Sequence, residues 1–119
     1  MRNFKNLTIW KRSFELVDMV YELSKDLPSD EKYGLTSQIR RSAVSIPSNI
    51  AEASGRKTDK EFARFLEIAL GSAFELETQL LIVQKRKMLD QEKLETIISE
   101  LVQIQKMIYS FYSNLKAKG

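Results

Sequence analysis

A chain of 119 residues, 43% hydrophobic and 29% charged, is sized for one helical core and too short for two; its apolar share exceeds that of an unfolded polar chain. With no Cys and no His it has no disulfide, no thiolate nucleophile or thiolate metal site, no imidazole base and not the commonest zinc ligand, which excludes most catalytic templates. Nineteen Lys and Arg against sixteen Asp and Glu leave +3, which permits an acidic partner without demanding one.

Four segments carry apolar residues at helical spacing. The first runs from about Thr8 to Leu27, with Trp10, Phe14, Val17, Val20 or Tyr21, and Leu27 on one stripe, and Pro28 ends it. The second reads Leu35, Ile39, Ala43, Ile46, Ile50 and Ala53 and closes near Ser54-Gly55. Pro47 inside it removes a backbone donor, which predicts a kink or a division into two abutting pieces; we expect a kink. The third opens on Thr58-Asp59-Lys60-Glu61, the spelling of a capping box, and follows Phe62, Phe65 or Leu66, Ala69, Ala73, Leu76, Leu80 and Val83. Asp90 is the expected N-cap of the fourth, whose stripe is Leu94, Ile97, Leu101, Ile104, Ile108, Phe111 and Leu115, with fraying from Lys116 to Gly119. Short connections then predict an all-α, up-down-up-down antiparallel four-helix bundle, one domain over residues 1–119.

Leu70, Phe74, Leu81 and Ile82 on the third helix and Ile98, Val102 and Tyr112 on the fourth lie off these stripes. One core face cannot hold them all, so a subunit interface is expected. The first residues interleave charge with apolar side chains, and Leu66 to Val83 is broken by Glu67, Glu75 and Glu77. Neither an export signal nor a membrane span is expected, and the expected compartment is the cytoplasm.

Antiparallel helices rise equally from their shared turn, so for the second and third helices paired positions sum to about 115. Arg41 then falls level with Glu75, Gln38 with Glu77, Ser45 with Gly71 and Asn49 with Leu66, and the small residues Gly71, Ser72 and Ala73 face Ser42 and Ser45. Gln38, Arg41, Ser45, Asn49, Glu52, Glu75 and Glu77 form a polar stripe that fixes helix register or subunit docking; read chemically, its carboxylates would be an acid-base or divalent-metal site. With no His to complete a bridged di-metal centre and no glycine-rich phosphate loop, no catalytic residue, metal or cofactor is assigned.

The bundle topology gathers Arg2, Lys5, Lys11, Arg12, Arg56, Lys57, Lys60, Arg64, Lys116 and Lys118 at one end, ten cations against Glu52, Asp59 and Glu61. The other end has eight cations against six acids. A ring of copies would multiply the field of the basic end and attract RNA or DNA. No aromatic-basic signature such as a ribonucleoprotein motif accompanies these cations, so poorly selective binding is expected.

The run from Tyr33-Gly34-Leu35-Thr36 through Ser37-Gln38-Ile39-Arg40-Arg41 to Asn49-Ile50-Ala51-Glu52, followed by Gly55-Arg56, Glu61-Phe62, Phe65-Leu66, Ala69, Gly71-Ser72 and Glu75 to Leu80, resembles the four-helix-bundle proteins of the bacterial 23S rRNA intervening-sequence family. The resemblance spans nearly the whole chain. It implies an up-down bundle assembling as a homopentamer. It also implies kinship with the accessory protein of diversity-generating retroelements, a basic pentamer that associates with nucleic acid and a reverse transcriptase. Ala53 and Ser42 stand where that family commonly has Gly and Ala, and Arg86-Lys87-Met88 replaces a usual Leu-Gly-Tyr, removing a natural left-handed helix cap. Three readings of function follow: a non-enzymatic homo-oligomeric scaffold or accessory factor binding RNA or DNA through its basic end, a module docking a partner such as a reverse transcriptase on surplus apolar surface, and a carboxylate-dependent nuclease.

Overall fold

In a computed structural model, which describes residues 2–118 with the side chain of Lys118 excepted, the chain forms a bundle 45 × 21 × 20 Å. Helices α1 (Thr8–Ser24), α2 (Leu35–Ser54), α3 (Asp59–Lys85) and α4 (Gln91–Lys118) follow one another, with single 3-10 turns at Phe4–Asn6 and Ser29–Glu31. Each helix packs on two neighbours, α1 against α2 and α4, and α3 against α2 and α4. Pairing across the α2–α3 and α3–α4 seams runs in opposite directions. Ser42 and Ser45 meet Glu75 and Ser72, and Glu77 and Glu67 meet Gln105 and Tyr112.

The core comes from one stripe per helix. In α2, α3 and α4 it is the expected one: Ile39, Ala43, Ile46, Ile50 and Ala53, then Leu66, Ala69, Ala73, Leu76, Leu80 and Val83, then Leu94, Ile97, Leu101, Ile104, Ile108 and Leu115. Burying each larger side chain contributes about 1.5–3 kcal/mol. Leu35, Phe65 and Phe111 pack at its margin.

The buried face of α1 differs from the expected one by one residue, a rotation of about 100°. Ile9, Ser13, Leu16, Val20 and Leu23 point inward, whereas Phe14 is 54% exposed and Tyr21 lies at the surface. Serine is the reason. Ser13 and Ser24 satisfy their hydroxyls on the carbonyls of Trp10 and Tyr21 in the turn before them, at 3.0 and 3.1 Å. A small side chain that donates to its own helix can occupy a core position at little polar cost. The displaced aromatics pack on each other outside, Trp10 stacking on Phe14 at 4.8 Å with Phe4 edge-on at 5.1 Å.

Helix α1 also ends earlier than expected, at Ser24 rather than Leu27. Residues 25–27 tighten into i to i−3 bonds, from Lys25, Asp26 and Leu27 N–H to the carbonyls of Glu22, Leu23 and Ser24. Leu27 precedes a proline, whose ring disfavours helical geometry there, but its side chain stays buried. Pro47 is buried within an α2 that continues as one element, so the chain is not divided there. Thr58 caps α3 by accepting from Glu61 N–H at 3.1 Å, and Asp90 caps α4 by accepting from Lys93 N–H at 3.0 Å. Helix α4 runs on through Lys118 rather than fraying at Lys116.

The turn between α3 and α4 solves the missing glycine locally. Lys87 takes the left-handed conformation itself, at φ 54°. Met88 N–H donates to Val83 O at 3.1 Å and Lys87 N–H to Gln84 O at 3.1 Å, the paired bonds of a Schellman cap. A side chain there costs about 1–2 kcal/mol that glycine avoids. Lys87→Gly is therefore expected to raise the melting temperature, by a stabilisation of about 1 kcal/mol offset in part by the freer unfolded chain. A lower melting temperature would contradict this account of the turn.

Candidate nucleic-acid interface and polar seam

Two polar regions arise from this packing, one along the α2–α3 seam and one at the end shared by the N-terminal segment, the α2–α3 junction and the end of α4. In the seam, levels sum to 117 rather than about 115. Ser42 Oγ donates to Glu75 Oε1 at 2.8 Å, and the hydroxyls of Ser45 and Ser72 share a hydrogen bond at 2.7 Å. Asn49 turns back on its own helix, donating to Ser45 O at 2.8 Å and Ser45 Oγ at 3.0 Å. Glu52 is exposed and pairs with Arg56 at 3.3 Å.

Arg41 and Gln38 do not join this network. Both are exposed, and among the described residues no ion pair links Arg41 to Glu75. The pairing falls one residue on from the expected one, so Ser42 stands where Arg41 was expected. Glu77 leaves the seam as well: it is about 200° round the helix from Glu75, so both cannot face α2. It lies against α4, where Gln105 Nε2 donates to it at 2.8 Å and to Ala73 O at 3.4 Å. Gly71 is exposed, with nothing within 4 Å of where a Cβ would stand, so close approach there does not depend on it. Gln79, buried on the α2 side of α3, leaves Oε1 without a protein partner.

Of the cations expected at the basic end, Arg2, Lys60, Arg64 and Lys116 lie around the Phe62 and Tyr112 side of the α3–α4 seam. Arg2 N–H donates to Ser54 O at 3.2 Å, while its guanidinium lies 4.7 Å from the Phe62 ring centre and 5.3 Å from that of Phe111, itself stacked on Phe62. Lys60, Arg64 and Lys116 line one hollow of about 270 Å³ with Glu61 and Glu67. Lys5, Lys11 and Lys57 are exposed; the side chain of Lys118 lies outside the described residues.

Two cations of this end already pair with carboxylates. Arg56 pairs with Glu52 and lies over Phe65 at 4.9 Å. Arg12 turns to α4 and grips Glu100 through both carboxylate oxygens, at 2.6 and 3.0 Å, with Met107 Sδ at 3.2 Å. That hydrogen bonding holds the Arg12 guanidinium still more firmly protonated than usual. The level rule found neither this pair nor its neighbours, because α1 and α4 share no turn from which to count. Applied about the α3–α4 turn, which centres near Met88, the same rule puts Tyr109 rather than Tyr112 level with Glu67. Tyr112 donates to Glu67 Oε2 at 3.0 Å, and this bond raises its pKa above the ordinary tyrosine value. The contact is intact at neutral pH and is lost only as pH rises through that elevated value.

The off-stripe apolar residues other than Ile82 lie on one flank where α3 meets α4. Phe74, Leu81 and Tyr109 are 51%, 44% and 58% exposed, with Leu70, Ile98, Val102 and Tyr112 half-buried between them. Ile82 is exposed further round α3. Among the described residues, no three acidic side chains gather closely enough to hold a metal ion, and no helix is long and apolar enough to cross a membrane.

The family model described as 23S rRNA-intervening sequence protein matches residues 5–110. A crystal structure of a protein of unknown function from the S23 ribosomal protein family of Bacteroides thetaiotaomicron VPI-5482 superimposes with a TM-score of 0.82 at 29% identity, covering 88% of this chain and 98% of that one. No curated protein matches the chain.

The two arginines provide a direct comparison. Arg12→Ala breaks a two-pronged, half-buried pair and is expected to destabilise the bundle by about 1 kcal/mol. Arg41→Ala, at an exposed and unpaired position, is expected to stay within about 0.5 kcal/mol of the parent. Urea titrations of both variants check the order; equal losses would place Arg41 in a contact absent from this geometry.

Proposed function

We propose that this chain, which belongs to the 23S rRNA-intervening sequence protein family, is a non-enzymatic scaffold that assembles with copies of itself and takes up RNA or DNA at its basic end. The observation that carries the reading is the α3–α4 flank. Phe74, Leu81 and Tyr109 stand exposed in one band, and the polar pair that crosses the band, Glu77 with Gln105, is already satisfied within the chain. A contiguous exposed apolar band of this kind is the surface a second copy would cover. A ring of five is the assembly we propose. In it the ends bearing Lys57, Lys60, Arg64 and Lys116 lie side by side and their fields add.

Light scattering tests the assembly: the expected mass is about five times the 13.8 kDa of one chain, and Phe74→Asp with Leu81→Asp is expected to give a helical monomer. A parent protein that remains a monomer would assign the flank to a different polypeptide and remove the ring. Salt titration tests the basic end. Binding to structured RNA is expected to fall steeply between low and physiological salt, with a shallower slope once Lys57, Lys60, Arg64 and Lys116 are changed to Gln. An unchanged slope would move the polyanion site elsewhere.

A further inference from the structure

At the opposite end, the connection from α1 to α2 brings two tyrosines into one hollow of about 530 Å³ with Lys32, Arg40, Arg41 and Val44. Tyr33 is 88% exposed, far beyond what packing a ring of that size would leave, and only the Lys32 ammonium lies over it, 5.4 Å from the ring centre. Tyr21 carries the Arg40 guanidinium over its face at 4.7 Å. Arg40 is held there, its Nε donating to Ser24 Oγ at 2.8 Å and one terminal nitrogen reaching Tyr21 O at 3.5 Å. The stack thus presents a fixed, planar, charged surface beside a free aromatic ring.

No carboxylate lines the hollow, and among the described residues none lies within ion-pair distance of Lys32, Arg40 or Arg41. Glu31, the nearest acid in sequence, is occupied in accepting from Leu35 N–H at 3.4 Å on α2. The hydroxyls of Thr36 and Ser37 complete the wall. Three unneutralised cations beside two π-surfaces match an unpaired polynucleotide, whose phosphates need the cations and whose unstacked bases need flat partners. Paired bases in a duplex hide those faces. An acidic peptide would use the cations but leave Tyr33 unexplained.

We propose that the Tyr21–Tyr33 hollow binds single-stranded nucleic acid, with Tyr33 and the Arg40–Tyr21 stack as base platforms and Lys32 and Arg41 on the phosphates. The site is separate from the basic end and does not depend on it. The test is fluorescence anisotropy on labelled oligo(dT) and on its duplex with oligo(dA), using the full chain. Oligo(dT) is expected to bind more tightly than the duplex. Tyr33→Ala should weaken oligo(dT) binding about fivefold or more, the effect of losing one stacked base, without changing the melting temperature or duplex binding. Tyr33→Trp should restore it, and the variant with Lys57, Lys60, Arg64 and Lys116 changed to Gln should retain it. Oligo(dT) affinity equal in the parent and Tyr33→Ala, a preference for duplex, or no binding at low salt would each overturn the proposal.

Discussion

The rise of the α-helix, about 1.5 Å per residue counted from a tight turn, governs what can touch what in this molecule. Helices α2 and α3 leave their junction together, so Ser42 reaches Glu75 and Ser45 reaches Ser72, while α3 and α4 leave theirs so that Glu77 and Glu67 meet Gln105 and Tyr112. Shifting a turn by one residue would move whole columns of partners at once. The turn at Lys87 therefore matters beyond its size: a left-handed lysine sets the count for every α3–α4 contact.

Much of this was readable from residue order. Three of the four core stripes and the caps at Thr58 and Asp90 follow from periodicity and end signals, since they depend on neighbours three or four positions apart. The α1 face was not, because it turns on Ser13 and Ser24, whose hydroxyls are answered inside their own helix and so behave as small core residues. An aromatic row of Trp10, Phe14, Val17 and Tyr21 looks more apolar on paper than the row that is buried.

The candidate sites divide the same way. Convergence of Arg2, Lys60, Arg64 and Lys116 follows from topology alone, but which charges remain available does not. Arg12 is taken up by Glu100, a partner 88 residues away, across the only seam whose helices have no common turn. Arg41 is left free because the true pairing falls one residue on from the expected one. The pairing of Tyr21 with Arg40 and the placing of Tyr33 beside them come from packing between α1 and α2, and nothing in the local spelling announces them.

The α1–α4 seam is also the sparsest of the four, and it joins the two ends of the chain. Closing it demands the largest loop in the molecule, a cost that grows with the logarithm of the intervening length. The hairpin of α2 and α3, densely packed and joined by a few residues, needs almost none. The α1–α4 seam is thus the part of the core that closes at the greatest entropic cost, and opening it frees the two ends of the chain while the central hairpin keeps its contacts.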